Sequence, residues 1–199
     1  MNIKLEGANK PLEEQIKILT KILSQNQKLM ELLKILADDG LEYYYVTAGC
    51  INQTIFNYYH DYDINYGIND FDIVYFDKDI TYEKEDIIIK RLTKKINKLN
   101  ITTDIKNQAR VHLWYYEKYG IKRQPYTSVE DAISKFGATI TCIGVRLEKN
   151  KLIVYAPYGL NDIFKMVLRP VKIEFTKEYY DERATRWMNK WPKLTKIEW

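Results

Sequence analysis

The sequence has few residues that could bind a soft metal ion or build a disulfide framework. Its 199 residues include two cysteines, Cys50 and Cys142, and two histidines, His60 and His112. The cysteines are far apart and form no C-x-x-C pair, which argues against a structural zinc site and favours free thiols in a reducing compartment. A divalent ion would therefore have to rely on carboxylate oxygens, which suit Mg²⁺ or Mn²⁺.

Long hydrophobic segments and a strong net charge are also lacking. Apolar runs such as Ile140 to Val145 are too short to cross a bilayer, and residues 1–10 have no hydrophobic signal-peptide core. We therefore expect no membrane association and a cytoplasmic location. The net charge of +4 permits a nucleic-acid partner without requiring one. The basic cluster at residues 90–98 is more typical of the solvated face of a helix.

The order of helical and strand patterns predicts a single α/β (α+β) domain over residues 1–199, with a small mixed sheet flanked by helices. Residues 1–40 carry the apolar spacing of two helices or of one bent helix. Residues 41–120 alternate strands with helices, and residues 121–199 predict a hairpin and closing helices. The strands predicted in the middle part cover residues 41–47, 70–76 and 101–105.

Two aspartates, Asp70 and Asp72, open the second predicted strand. Aspartate is a poor strand former, and at this spacing both side chains point to one face, roughly 6–7 Å apart at the Cα atoms. Such a pair lies in water or invites a cation, and a bridging divalent ion would keep positions open for phosphate oxygens. Turn residues facing solvent are the commoner interpretation of this motif, so neighbouring segments must decide.

Two neighbouring segments favour the metal site. The turn at Gly49-Cys50 joins the first strand to a helix and would aim the N–H groups of the helix N-terminus beyond the strand end. Asp104 lies on the third predicted strand. If that strand runs beside the second, Asp104 can complete the metal site and accept a proton from an attacking hydroxyl. An exposed aspartate on an edge strand is the alternative.

These segments together resemble the DNA polymerase beta nucleotidyltransferase superfamily, whose pattern is a glycine turn, a paired acidic strand and a distant third acid. More narrowly, the chain is similar to the bacterial nucleotidyltransferase-like family of unassigned substrate, from about residue 44 to residue 192. The string Asn-Gln-Ala-Arg-Val-His at residues 107–112 is the most specific match. The other matching segments are residues 48–51, 70–77, 144–146, 158–164, 186–187 and 190–192.

The resemblance implies a nucleotidyltransferase fold and a Mg²⁺-dependent (or Mn²⁺-dependent) transfer of a nucleoside monophosphate from an NTP to an unknown acceptor. Asp104 would act as third metal ligand and possible base. The implied metal and catalytic residues are Asp70, Asp72 and Asp104, and the implied nucleotide-binding residues are Gly49, Cys50, Asn107, Arg110 and His112.

Other functions remain open at this point. Asn52 stands where many relatives carry a basic residue, which leaves room for a non-catalytic nucleotide-binding or regulatory module, for example in a toxin–antitoxin pair. A basic RNA-binding protein is less favoured, because it leaves the three aspartates unexplained. Arg110 could serve an anion or the fold equally well, and an interior position is favoured for His112.

Several arginines and tryptophans in the second half of the chain are interpreted as structural. Arginines in a mixed-charge sequence commonly pair with carboxylates of neighbouring elements, and tryptophans commonly pack in a core. Arg146, Arg169 and Arg183 could reach anions, but ion pairs are the favoured interpretation. Core packing is favoured over a base-stacking platform for Trp114, Trp187, Trp191 and Trp199.

Overall fold

The computed structural model describes residues 6–120 and 122–199, with the exception of the side chain of residue 119. Its helices are α1 (Leu12–Leu23), α2 (Gln27–Asp39), α3 (Gly49–His60), α4 (Tyr82–Ile96), α5 (Val111–Tyr119), α6 (Val129–Ser134), α7 (Asn161–Phe164) and α8 (Lys177–Lys190). Its strands are β1 (Tyr44–Thr47), β2 (Phe71–Tyr75), β3 (Thr103–Asn107), β4 (Gly144–Glu148), β5 (Lys151–Tyr155), β6 (Val167–Leu168) and β7 (Thr195–Lys196).

The main sheet has five strands in the order β3-β2-β1-β4-β5, and it is mixed as the sequence predicts. β2 and β3 run parallel and are joined through α4, whereas the other neighbouring pairs are antiparallel. β6 and β7 form a separate parallel pair that brings the end of the chain back to the segment after α7.

The two faces of the sheet have different partners because side chains alternate along each strand. On one face, Val46 and Ile73 pack into the large core together with residues of α1 to α4. On the other face, Tyr45 and Val74 pack with Ile133 of α6 in a smaller cluster. This second face is only partly covered, and its open part forms the cleft described below.

Local signals explain how several helices begin and end. Asn26 accepts a hydrogen bond from the N–H of Leu29 at the start of α2, and Gly40 ends that helix with φ of 77°. Thr81 caps α4 by accepting from the N–H of Lys84. Side-chain oxygens at these positions satisfy N–H groups that a helix cannot bond internally. Among the described residues, no helix has the length and apolar character needed to cross a membrane.

The structure corrects several predicted boundaries. β2 begins at Phe71 rather than at Asp70, and β3 covers Thr103–Asn107 rather than residues 101–105. The shift of β3 by two residues leaves each side chain on its predicted face. The pattern of residues 109–119 predicts one helix, but the structure has a 3₁₀ turn, Gln108–Arg110, before α5.

The apolar run from Ala138 to Leu147 predicts one continuous strand, but only its second half is extended. Thr139–Thr141 forms a 3₁₀ turn, in which the Thr141 hydroxyl donates to the carbonyl of Ala138 at 2.7 Å. A buried apolar run does not by itself distinguish strand from turn. Likewise, the pattern of residues 160–167 predicts one helix, but α7 ends at Phe164 and Val167 already belongs to β6.

Candidate active site

Asp72 lies in the middle of the sheet, between two polar neighbours. Its Cα is paired with that of Asp104 on the parallel strand β3 and with that of Thr47 on the antiparallel strand β1. Asp70 is exposed and directly precedes β2. Strand adjacency therefore brings Asp104 to the same level of the sheet as Asp72, as the sequence predicts.

A cleft of about 650 Å³ opens over this part of the sheet. Its floor includes Gly49, Asp70 and Asp72, so these three predicted site residues share one cavity. Basic side chains and aromatic rings form much of its walls. The basic residues are Lys106, Arg123, Arg183, Arg186 and Lys190, and the aromatic residues are Trp114, Tyr115, Tyr126, Phe136, Phe175, Tyr179, Trp187 and Trp191.

The electrostatics of the cleft floor disfavour an ionised Asp72. Burial, followed by the charges of Asp70 and Asp104, raises the pKa of Asp72 to about 6, against the opposing effects of Lys106 and Arg183. Desolvation and like charges both destabilise a carboxylate. A divalent cation shared by Asp70 and Asp72 would remove this repulsion, so the two carboxylates fit a hard metal ion.

The expected third ligand is in a different situation. The Asp104 carboxylate forms an ion pair with Lys106, which lies two residues along β3 and on the same face. Lys106 lines the cleft, whereas Asp104 does not. Within residues 6–120 and 122–199, no three His, Cys, Asp or Glu side chains come together in a way that could hold a metal ion. The structure thus assembles a carboxylate pair, with Asp104 beside it, rather than the predicted triad.

The glycine turn delivers a helix N-terminus to the cleft. Ala48 has φ of 59° and ψ of −129°, and the N–H groups of Ile51 and Asn52 bond to its carbonyl. The preceding N–H groups of a helix have no partner within the helix. A Cβ on Gly49 would meet the Gln53 amide nitrogen at 3.2 Å, so the small residue keeps this corner of the cleft open.

Two residues predicted to contact the nucleotide lie outside the cleft and support the backbone instead. Cys50 is fully buried, its Sγ donates to the carbonyl of Thr47 at 3.4 Å, and burial raises its thiol pKa well above the usual value. Asn107 is buried; its Oδ1 accepts from the N–H groups of Asp77 and Ala109 at 3.0 and 3.1 Å. Neither side chain is free to meet a ligand.

Arg110 and His112 are also absent from the cleft lining. Arg110 forms a mostly buried ion pair with Glu85 of α4, and its Nε donates to the carbonyl of Ile80 at 2.9 Å. His112 is partly exposed, and its buried Nδ1 has no hydrogen-bond partner in the described part of the chain. The 3₁₀ turn at residues 108–110 directs Arg110 toward α4, so neither residue supports the predicted phosphate contact.

The sequence interpretation missed most of the cleft walls. Arg146 and Arg169 do pair with carboxylates, those of Glu148 and Asp162. Arg183 has no carboxylate partner among the described residues; it contacts the Tyr179 hydroxyl at 3.2 Å and the Trp187 ring at 4.5 Å. The spacing of basic residues 183, 186 and 190 on one predicted helix could have revealed this surface.

The glycine turn after β1 lies beside the acidic strand β2, which is the arrangement that the sequence resemblance implies for a nucleotidyltransferase core. A model of the nucleotidyltransferase family matches residues 34–196 of the chain. The protein therefore belongs to the nucleotidyltransferase family, and the resemblance found in the sequence is confirmed.

A solved structure gives the same result for the fold. The chain is similar to an NMR structure described as a CCA-adding enzyme head domain, with 27% sequence identity and a TM-score of 0.74. The similarity covers 98% of this chain and 100% of that chain. No curated protein sequence matches the chain.

Proposed function

We propose that the protein transfers a nucleoside monophosphate from an NTP to an acceptor, with Mg²⁺ or Mn²⁺ bound by Asp70 and Asp72. The observation that carries this proposal is a partly buried Asp72 beside Asp70, facing a cleft into which the Gly49 turn also opens. Family membership supports nucleotidyl transfer in general. The raised pKa of Asp72 supports the metal, because the ion would stabilise the charged form.

Each residue of the cleft floor has a defined task in this proposal. The metal ion, when bound, supplies positive charge at the α-phosphate and at the leaving pyrophosphate. Asp70 and Asp72 would bind this metal ion, and the free N–H groups at Gly49 bind phosphate oxygens. The acceptor oxygen forms a bond to the α-phosphorus, and the bond from that phosphorus to the oxygen bridging to the β-phosphate breaks.

The proton of the acceptor hydroxyl also needs a destination. Asp104 is adjacent to Asp72 in the sheet, and we assign to it the role of proton acceptor. Lys106 pairs with Asp104 in this structure and also lines the cleft. When the donor binds, the Lys106 ammonium can leave Asp104 and bind a phosphate oxygen instead. This exchange of partners would free the Asp104 carboxylate when the donor binds.

The acceptor can be a small molecule, an RNA end or a protein hydroxyl. Similarity to a CCA-adding enzyme head domain makes an RNA end the first acceptor to test. We also propose that residues 1–199 act as one domain in the cytoplasm.

One observation favours a second candidate, a nucleotide-binding or regulatory module without turnover. The third carboxylate, Asp104, is neutralised by Lys106, so the cleft holds two free acidic groups instead of three. In this candidate the NTP binds with the metal but no product forms.

Substitution of the paired aspartates tests both candidates. Asp70→Asn and Asp72→Asn should each abolish Mg²⁺-dependent transfer from α-labelled NTP while leaving the circular dichroism spectrum unchanged. Asp38→Asn, at an exposed position of α2, is the matched control and should keep full activity. Turnover that survives both cleft substitutions would exclude the proposed enzyme, and Mg²⁺-dependent NTP binding by calorimetry without any product would favour the regulatory module.

A further inference from the structure

One face of α8 presents three basic side chains to the cleft. Arg183, Arg186 and Lys190 all line it, at helical spacings of three and four residues. Residues at these spacings lie on the same side of a helix, and seven residues span about 10 Å along its axis. The three side chains therefore form a continuous basic wall, which we name the α8 wall.

The α8 wall differs from the other basic residues of the cleft in its lack of ion-pair partners among the described residues. The other two cations of the cleft have carboxylate partners, since Lys106 pairs with Asp104 and Arg123 pairs with Glu174. Across the described ranges, no ion pair involves a residue of the α8 wall. A cluster of unpaired cations facing one cavity is repulsive by itself and is stabilised by an anion that carries several charges.

Packing against α3 fixes where the α8 wall stands. Phe56 of α3 contacts Trp187 and Trp191, with ring centroids 6.1 and 5.5 Å apart, and His60, one turn further on, accepts from the Lys193 N–H at 3.1 Å. The last part of α8 and the residues that follow it are therefore held against α3, and Arg183 and Gly49 line the same cleft.

The two ends of the α8 wall meet different parts of the cleft floor. At one end, Arg183 lines the cleft together with Asp72 of the floor. At the other end, the Lys190 side chain lies 3.8 Å from the place where Gly67 would carry a Cβ, in the loop that leads to Asp70. The α8 wall therefore lines the cleft from the region of Asp72 to the loop that leads to Asp70.

The turn at the start of α3 has no basic side chain of its own. Residues 48–53 read Ala-Gly-Cys-Ile-Asn-Gln, and Asn52 is fully buried with neither amide atom bonded to a described residue. Backbone N–H groups can hold one phosphate at such a turn, but a chain of phosphates needs further cations. On this chain those cations come from α8.

We propose that Arg183, Arg186 and Lys190 bind the linear triphosphate of the donor nucleotide. The α-phosphate lies toward Gly49 and Arg183, and the terminal phosphates lie along Arg186 and Lys190. This inference rests on the proposed function for the identity of the donor. The α8 wall is then the feature that distinguishes a triphosphate from a monophosphate.

Calorimetry with inorganic tripolyphosphate in EDTA tests this assignment without metal, base or turnover. The wild type should bind tripolyphosphate at least tenfold more tightly than orthophosphate. The double variant Arg186→Gln/Lys190→Gln should lose at least tenfold in tripolyphosphate affinity and raise the KM for NTP by a similar factor. The matched control, Lys17→Gln/Lys34→Gln, removes two exposed helical charges outside the cleft and should bind as the wild type does.

The outcomes separate the two proposals. Equal tripolyphosphate affinity in the wild type and the α8 double variant would overturn this inference, whatever the result for Asp70 and Asp72. Tripolyphosphate binding that depends on Arg186 and Lys190, in a protein without any transfer activity, would support the inference and remove only the proposed enzyme. If the double variant loses affinity for single-stranded RNA but keeps it for tripolyphosphate, the wall binds an acceptor backbone and the assignment is wrong.

Discussion

The indole N–H of Trp191 donates to Oδ1 of Asn57 at 2.7 Å, which ties the residue after α8 to the last turn of α3. The same Asn57 side chain donates through Nδ2 to the carbonyls of Ile64 and Tyr66, at 3.1 and 2.9 Å. Asn57 itself is fully buried. One amide therefore holds the end of α8 and the loop that leads to Asp70 in a fixed relation.

Removal of the Asn57 amide should lower the free energy of unfolding. Asn57→Ala leaves two carbonyls and one indole N–H without their partner, and each such buried group costs about 1–3 kcal/mol. We expect the free energy of unfolding in urea to fall by about 3 kcal/mol or more. Asn57→Asp should be worse, because it also places a buried carboxylate against the two carbonyl oxygens. The exposed control Asn189→Ala should change stability by less than about 0.5 kcal/mol; an equally small change in Asn57→Ala would contradict the assigned role.

Asp72 gives a pH-dependent prediction for the metal-free protein. Its folded-state pKa of about 6 exceeds the usual value of 3.8, so the unfolded chain releases this proton more readily. The wild type should therefore lose stability through this group as the pH rises from about 4 to 6. Asp72→Asn lacks this loss and should be more stable by about 1–3 kcal/mol at pH 8 in EDTA. Urea titrations from pH 4 to 8 check this, and equal stability curves for the two proteins would refute it.

His60, which lies away from the carboxylates, should change the stability of the protein with pH in the opposite direction to Asp72. Its Nδ1 is 2.7 Å from the Phe56 carbonyl, and its Nε2 accepts from the Lys193 N–H, a hydrogen bond that only the neutral ring can make. Desolvation lowers the pKa of His60, outweighing the Phe56 hydrogen bond. The stability it contributes is complete above pH 6.5 and is lost as the pH falls below that value.

Comparison with a variant isolates the histidine from the other titrating groups. His60→Gln cannot gain this proton, so its melting temperature should fall less than that of the wild type between pH 7 and pH 5. Parallel falls in the two proteins would show that His60 does not titrate in this range.

The ion pair between Arg110 and Glu85 predicts a structural role for the arginine. Both side chains are mostly buried, and Arg110→Met leaves an uncompensated carboxylate. We expect a loss of about 2–4 kcal/mol in unfolding free energy, with unchanged tripolyphosphate affinity. Arg110→Met/Glu85→Gln should recover part of this loss, because no buried charge remains.

An exposed ion pair provides the control for this experiment. Lys10 and Glu14 pair on the surface of α1, and Lys10→Met should cost less than about 1 kcal/mol. A tenfold loss of tripolyphosphate affinity in Arg110→Met at unchanged stability would contradict this structural role. It would show instead that Arg110 contacts the nucleotide, as the sequence predicted.

The features that were predictable from the sequence are those set by local periodicity. Asp70 and Asp72 stand two residues apart in a β-branched segment, so a strand places both on one side whatever surrounds it. The same reasoning keeps Asp104 on its face despite the shift of β3 by two residues. Family membership followed from these short patterns, because the glycine turn and the acidic strand are contiguous segments.

Local patterns were misleading where contacts over long separations determine the result. Arg110 and His112 lie next to the predicted site in sequence, yet the turn at residues 108–110 sends Arg110 to Glu85 on α4. Lys106 lies just beyond the predicted strand over residues 101–105, but in the structure it belongs to β3 and pairs with Asp104 on the open face of the sheet.

The sequence by itself determined the mixed α/β class, the family, and the carboxylate pair at Asp70 and Asp72. Each of these follows from the residue patterns of short segments or from the order of those segments along the chain. Only the tertiary structure decided what stands opposite that pair. Arg183, Arg186 and Lys190 are more than 100 residues from Asp72 along the chain. They reach the cleft because Phe56 and Asn57 pack against Trp187 and Trp191, and such packing depends on the shape and burial of side chains that no local spacing encodes.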